Sequence, residues 1–164
     1  MKKLLLLLTA FSTLSLTNVS AQFQGTFGMG AHTTFGIEHH NLGAGLHIHY
    51  YATNNIKLVP SATFFLPQNN ISMWKAEFDI HVVAPISFSS MVYPIAGVSF
   101  TNRRFEAPST VDTPNWTSQQ LGGNFGVGFQ HDIMYRLRWT LEVKYHIVRD
   151  RSQVGIMAGI GFWI

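Results

Sequence analysis

The chain has no cysteine and few charges: Asp, Glu, Lys and Arg make up 12% of its 164 residues, against roughly 25% in soluble proteins. Without cysteine there is no disulfide framework, the usual support of a small secreted domain, no thiolate ligand and no lipid-modified N-terminal cysteine. There is also no hydrophobic run long enough to cross a bilayer as a helix, which takes roughly 20 residues. Beyond Ala21 no segment sustains helical periodicity. No basic patch is interleaved with stacking aromatics, so nucleic acid is not an expected partner.

What charge there is concentrates at one end first. Lys2 and Lys3 precede a short apolar stretch, Leu4 to Leu8 running on to Phe11, and Val19-Ser20-Ala21 is a small-residue cleavage pattern. Together they read as a secretory signal peptide over 1–21, with Gln22 as the first mature residue and 22–164 as one domain. Loss of the two lysines leaves nine basic against eight acidic side chains, a net of +1. The basic isoelectric point is therefore no evidence for a nucleic-acid partner.

From Phe23 to Ile164 the sequence alternates with period two through eight segments. One parity is apolar and aromatic, for example Leu42, Ala44, Leu46, Ile48 and Tyr50. The other is polar, charged or glycine, as in Gly43, Gly45, His47 and His49. Successive strand side chains point to opposite faces, so each segment is a two-faced β-strand. Turn-rich connections follow at Glu38–Asn41, Thr53–Asn55, Pro67–Asn70, Pro85–Ser90, Arg103–Ser118, His131–Tyr135 and Arg149–Ser152. Pro60 and Pro94 fall inside strands and remove ladder donors, which predicts a local bulge or an irregular strand end at each. Short connections predict an antiparallel up-and-down meander, closed so that no sheet edge is left open.

Volume then sets which face is inside. An eight-stranded barrel has a lumen just wide enough for side chains. Rings such as Phe27, Phe64, Trp74, Phe125, Trp139 and Phe162 share the apolar parity and are too many for that space. Lys75, Glu77, Asp79, His81, Arg138, Glu142, Lys144 and His146 share the other parity. A basic side chain facing lipid at mid-bilayer costs roughly 2–4 kcal/mol. The expected fold is all-β: an eight-stranded antiparallel transmembrane β-barrel, oily side outward, in a bacterial outer membrane. With a periplasmic N-terminus the long connection Arg103–Ser118 lies outside the cell.

Gly126-Val127-Gly128-Phe129 followed by Leu137-Arg138-Trp139-Thr140-Leu141-Glu142-Val143-Lys144-Tyr145 resembles the small OmpA/OmpX-like outer-membrane β-barrel family across the mature chain. The resemblance implies outer-membrane lipid and lipopolysaccharide as surroundings, and the outer-membrane insertion machinery as a partner. That machinery reads a terminal aromatic residue in the family. Here the end is Phe162-Trp163-Ile164, which keeps the aromatic two residues in and lacks the final one.

Four sets of residues carry chemistry. His47 and His49 share a face about 7 Å apart. His32 is expected opposite His47, and the three are a metal site or part of a polar lumen network. The ladder Lys75, Glu77, Asp79 with Arg138, Glu142 and Lys144 is expected to plug the barrel, Glu142 pairing with Arg138 or Lys144. The connection 103–118, with Arg103, Arg104, Phe105 and Trp116, is a candidate contact for an extracellular partner. Lipid A deacylases of this size carry His-x-Ser, but His131 is followed by Asp132 and Ile133, and no Asp-Ser occurs for an acyltransferase. The expectation is no catalytic residue, no cofactor and a structural or surface-interaction role, with a lipid A-modifying enzyme or a small channel as alternatives.

Overall fold

The computed structural model describes residues 24–107, 114–134, 136–149 and 152–164. The expected signal peptide lies outside them, as does Phe23.

Eight long strands alternate in direction: β1 Phe27–Gly36, β2 Asn41–Tyr51, β3 Ile56–Gln68, β4 Ile71–Val82, β5 Ser90–Phe105, β6 Trp116–Asp132, β7 Leu137–Val148 and β8 Gln153–Trp163. A two-residue strand, Ala84–Pro85, pairs with the start of β5. Each long strand bonds to its sequence neighbours, β4 to β5 and β8 to β1 included, and the sheet closes on itself.

Burial follows parity, with the apolar side outward. Leu46 is 69% exposed, Phe64 68%, Val127 63% and Phe125 55%. Their neighbours His47, Thr63 and Asn124 are buried. A soluble protein does not carry a continuous apolar belt of this kind, and a bilayer is the solvent that suits it. The polar backbone is satisfied within the closed sheet, as hydrocarbon demands.

Lumen glycines make room for large neighbours. His49 stands opposite Gly28, His47 opposite Gly30, and His32 opposite Gly45. In each pair the imidazole occupies the space that a β-carbon on the glycine would need.

Two sequence expectations are corrected and a third is sharpened. Neither Pro60 nor Pro94 shifts the register, since Pro60 pairs with Phe78 and Pro94 with Val127. Each instead marks a lapse in the ladder on its other side: the β2–β3 pairs skip from His47 with Ser61 to Tyr50 with Leu58, and the β4–β5 pairs stop at His81 with Ile95, before Ala84 pairs with Val92. A register shift lies between Phe65 and Gln68, beside Pro67. The connection Arg103–Ser118 is shorter than expected, because Arg103, Arg104 and Phe105 pair with Ser118, Thr117 and Trp116 as the end of the β5–β6 hairpin. Of that connection, 108–113 lie outside the described residues. His131 belongs to β6 and not to the following turn.

The connections sort to two ends. Gln68 of β3 donates to the His40 carbonyl, and the Glu106 amide to that of Asn70, tying the odd-numbered connections together. At the other end Trp163 bonds to Arg136 and Ile164 to Phe27.

Candidate functional site

The lumen is crossed by one buried ionic cluster. The Lys144 ammonium on β7 lies 2.9 Å from Asp79, 3.3 Å from Glu77 and 3.8 Å from Glu142. Lys75 lies 3.1 Å from Glu77 on its own strand. Asn124 on β6 donates to both Glu77 and Asp79 at 2.9 Å, and its carbonyl oxygen meets His146 Nδ1 at 2.9 Å. The Tyr93 hydroxyl donates to Glu142 at 2.8 Å. Asp79 is 1% exposed and Glu142 3%. Buried charges are tolerated when opposite signs and hydrogen bonds surround them, and here carboxylates from β4 and β7 share one ammonium. Of the two partners expected for Glu142 the structure brings Lys144. Arg138 instead pairs with Asp132 at 3.4 Å and lies 3.1 Å from the centre of the Trp163 ring. Asn124, Tyr93 and Lys57, which donates to Gln130 at 3.1 Å, complete the plug. All three stand on the parity of the charged residues, but only the closed fold shows that Asn124 and Tyr93 reach the carboxylates and that Lys57 lies over the Tyr93 ring.

Below the cluster the end that holds Phe27 and Ile164 is sealed by apolar and aromatic side chains: Tyr51, Val83, Met91, Tyr93 and Ile95, with Trp163 against them. His81 stacks on Tyr93 with ring centres 4.6 Å apart.

The histidines meet differently from the expectation. His32 stands opposite Gly45, not His47. The two imidazoles approach on the diagonal, with Nδ1 atoms 3.3 Å apart, while His32 Nε2 meets Thr63 Oγ1 at 2.9 Å. His49 turns its ring edge-on to Trp163. Among the described residues no group of three or more His, Asp or Glu side chains is arranged to hold a metal ion.

The fold supplies a serine that the sequence motif lacked. Ser90 stands opposite His131, with Oγ 2.9 Å from Nδ1, at the same end of the wall as that seal. The adjacent Asp132 is engaged by Arg138, and the Ser90 amide donates to the Ser87 carbonyl. Among the described residues no carboxylate bonds to His131, so the pair lacks the third group that orients a catalytic base.

On the outer face a concavity of about 850 Å³ lies over Ala31, Ala44, Ala62 and Ala158, flanked by Phe64 and Trp139. It opens in the lipid-facing band and its lining is mostly apolar.

No family model and no curated protein matches the sequence. Solved structures do. The chain is similar to the N-terminal β-barrel domain of Pseudomonas aeruginosa OprF, at 15% identity and a TM-score of 0.69, covering 86% of this chain and 98% of that one. It is similar to Neisserial surface protein A at 10% identity and 0.64, covering 84% and 95%. It is also similar to Ail, the attachment invasion locus protein of Yersinia pestis, at 15% and 0.59, covering 86% and 99%.

The fold is that of the small eight-stranded outer-membrane barrels. At these identities the likeness concerns the fold alone.

Proposed function

We propose that the chain is exported by its 1–21 leader and works as an integral outer-membrane barrel whose contacts are made at its outer rim, in surface adhesion, partner binding or membrane integrity. One observation carries this: the lumen is closed by the Lys144–Glu77–Asp79–Glu142 cluster above an aromatic seal. The interior therefore serves stability, and chemistry with the outside falls to the rim. The β5–β6 hairpin is the most prominent part of it. Its strands have 16 and 17 residues, where the other long strands have 10 to 13. A solved complex of Ail with the heparin analogue sucrose octasulfate illustrates that a barrel of this fold binds a ligand.

The test compares cells that lack the protein, cells that produce it, and cells producing a version with 106–115 replaced by Asn-Gly. The shortened chain is expected to insert and to show the gel-mobility change of a folded barrel on heating, but to lose the adhesion to protein-coated surfaces that the whole chain confers. Full adhesion by the shortened chain, or a large steady conductance of the native chain in planar bilayers, contradicts the reading.

A further inference from the structure

The lumen between the ionic cluster and the aromatic seal holds two further buried cations. Lys57 is 3% exposed and Arg138 1%. None of the described ion pairs includes Lys57. Its ammonium meets the neutral Gln130 amide at 3.1 Å and lies 4.2 Å from the centre of the Tyr93 ring. Arg138 has Asp132 and the Tyr51 hydroxyl as polar neighbours, yet none of its three side-chain nitrogens makes a hydrogen bond of good geometry among the described residues. The same is true of His49 Nε2 and of both ring nitrogens of His81, and both histidines are buried.

These groups are contiguous. Lys57 stands opposite Tyr51 on β2 and His81 on β4. Tyr51 and His49 reach Trp163, with ring centres 5.3 and 4.7 Å apart, and Arg138 lies over the face of the same indole. Lysine and arginine side chains donate hydrogen bonds and accept none. Buried donors without acceptors are costly, and a charge among them more so.

The same place has room. Gly28 and Gly30 on β1 each have an imidazole in the space that a β-carbon would need. Gly161 on β8, opposite both Gly30 and Arg138, does not. A β-carbon there would lie 3.5 Å from Arg138 Cγ and 3.5 Å from His49 Cε1, ordinary contacts. A gap the size of a methyl group therefore separates the arginine from the imidazole, and Cε1, the carbon that joins the two ring nitrogens, borders it.

We propose that a small monovalent anion of the chloride class is held in the lumen over Gly161, between Arg138 and His49, with Lys57 adding to the positive field. An anion answers donors and charge together, where a water molecule would answer the donors alone. The gap is too small for phosphate or sulfate. The site lies inside the barrel and is independent of the contacts proposed for the rim.

Two measurements test it on the full mature chain. In crystals of protein folded in sodium bromide, an anomalous scattering peak is expected between Arg138 and His49. The heat-induced gel-mobility change is then followed in sodium chloride and in sodium gluconate at equal ionic strength. The native midpoint should be higher in chloride, by roughly 2–4 °C once chloride exceeds its dissociation constant about fivefold. Gly161→Ala places a methyl group where the ion sits, at ordinary contact distances, and should show equal midpoints in the two salts. A bromide map without that peak overturns the proposal, whether or not Gly161→Ala inserts. So do equal native midpoints in both salts, or a Gly161→Ala barrel that keeps the native chloride dependence.

Discussion

Tyr93 stands directly opposite Gly128 across the β5–β6 ladder, and its ring fills the space that a β-carbon at residue 128 would need. Its hydroxyl donates to Glu142 on β7, and its face stacks on His81 of β4. One glycine thus lets a side chain lie flat against the wall and join three other strands. The same complement recurs where His47 lies over Gly30 and Asp79 over Gly97. Glycine in the lumen is matched to bulk across the ladder.

Gly128→Ala is therefore expected to push Tyr93 off the wall and lengthen its bond to Glu142, at a cost of about 1–3 kcal/mol. Gly123→Ala is the control: it adds a β-carbon 3.7 Å from its nearest neighbour, Phe125, an ordinary contact, and should change stability by less than about 0.5 kcal/mol. Urea unfolding in lipid vesicles, followed by tryptophan fluorescence, measures both.

Lys144 is the one cation that touches Glu77, Asp79 and Glu142 among the described ion pairs. Lys144→Met should cost about 3–5 kcal/mol, because carboxylates are left buried with less compensation. Adding Glu77→Gln and Asp79→Asn to that variant should recover much of the loss. Equal instability of the single and triple variants in the same unfolding assay would mean that the charges do not act as a unit.

Parity was legible in the sequence because the period of a strand is two and a bilayer punishes errors of face. Register was not. The first turn occupies 37–40, where 38–41 was expected, with His40 at positive φ. Moving a turn by one residue moves each cross-strand partner by two, which is why His32 faces Gly45. The lumen cluster was legible in its charges but not in its neutral members. Asn124 reaches Glu77 and Asp79 from β6, a contact made only when the barrel closes. The Ser90–His131 pair escaped a search for local motifs for the same reason: its members lie on different strands.

That pair gives a test of the expectation that no serine is catalytic. A fluorophosphonate probe should leave Ser90 unlabelled in the folded barrel, since an activated serine needs an oriented base and oxyanion donors. Stoichiometric labelling of Ser90 that disappears in His131→Ala would instead make it a nucleophile.

The central claim is that the oily face meets lipid and the charged face the lumen. Because the chain has no cysteine, a single introduced cysteine carries a unique spin label. Labels placed in turn at 141 to 146 along β7, in vesicles, report oxygen and nickel-chelate accessibility at each position. The account predicts alternation: high oxygen accessibility at 141, 143 and 145, and low accessibility to both reagents at 142, 144 and 146. The reverse alternation, or high nickel accessibility at 141, 143 and 145, would contradict it.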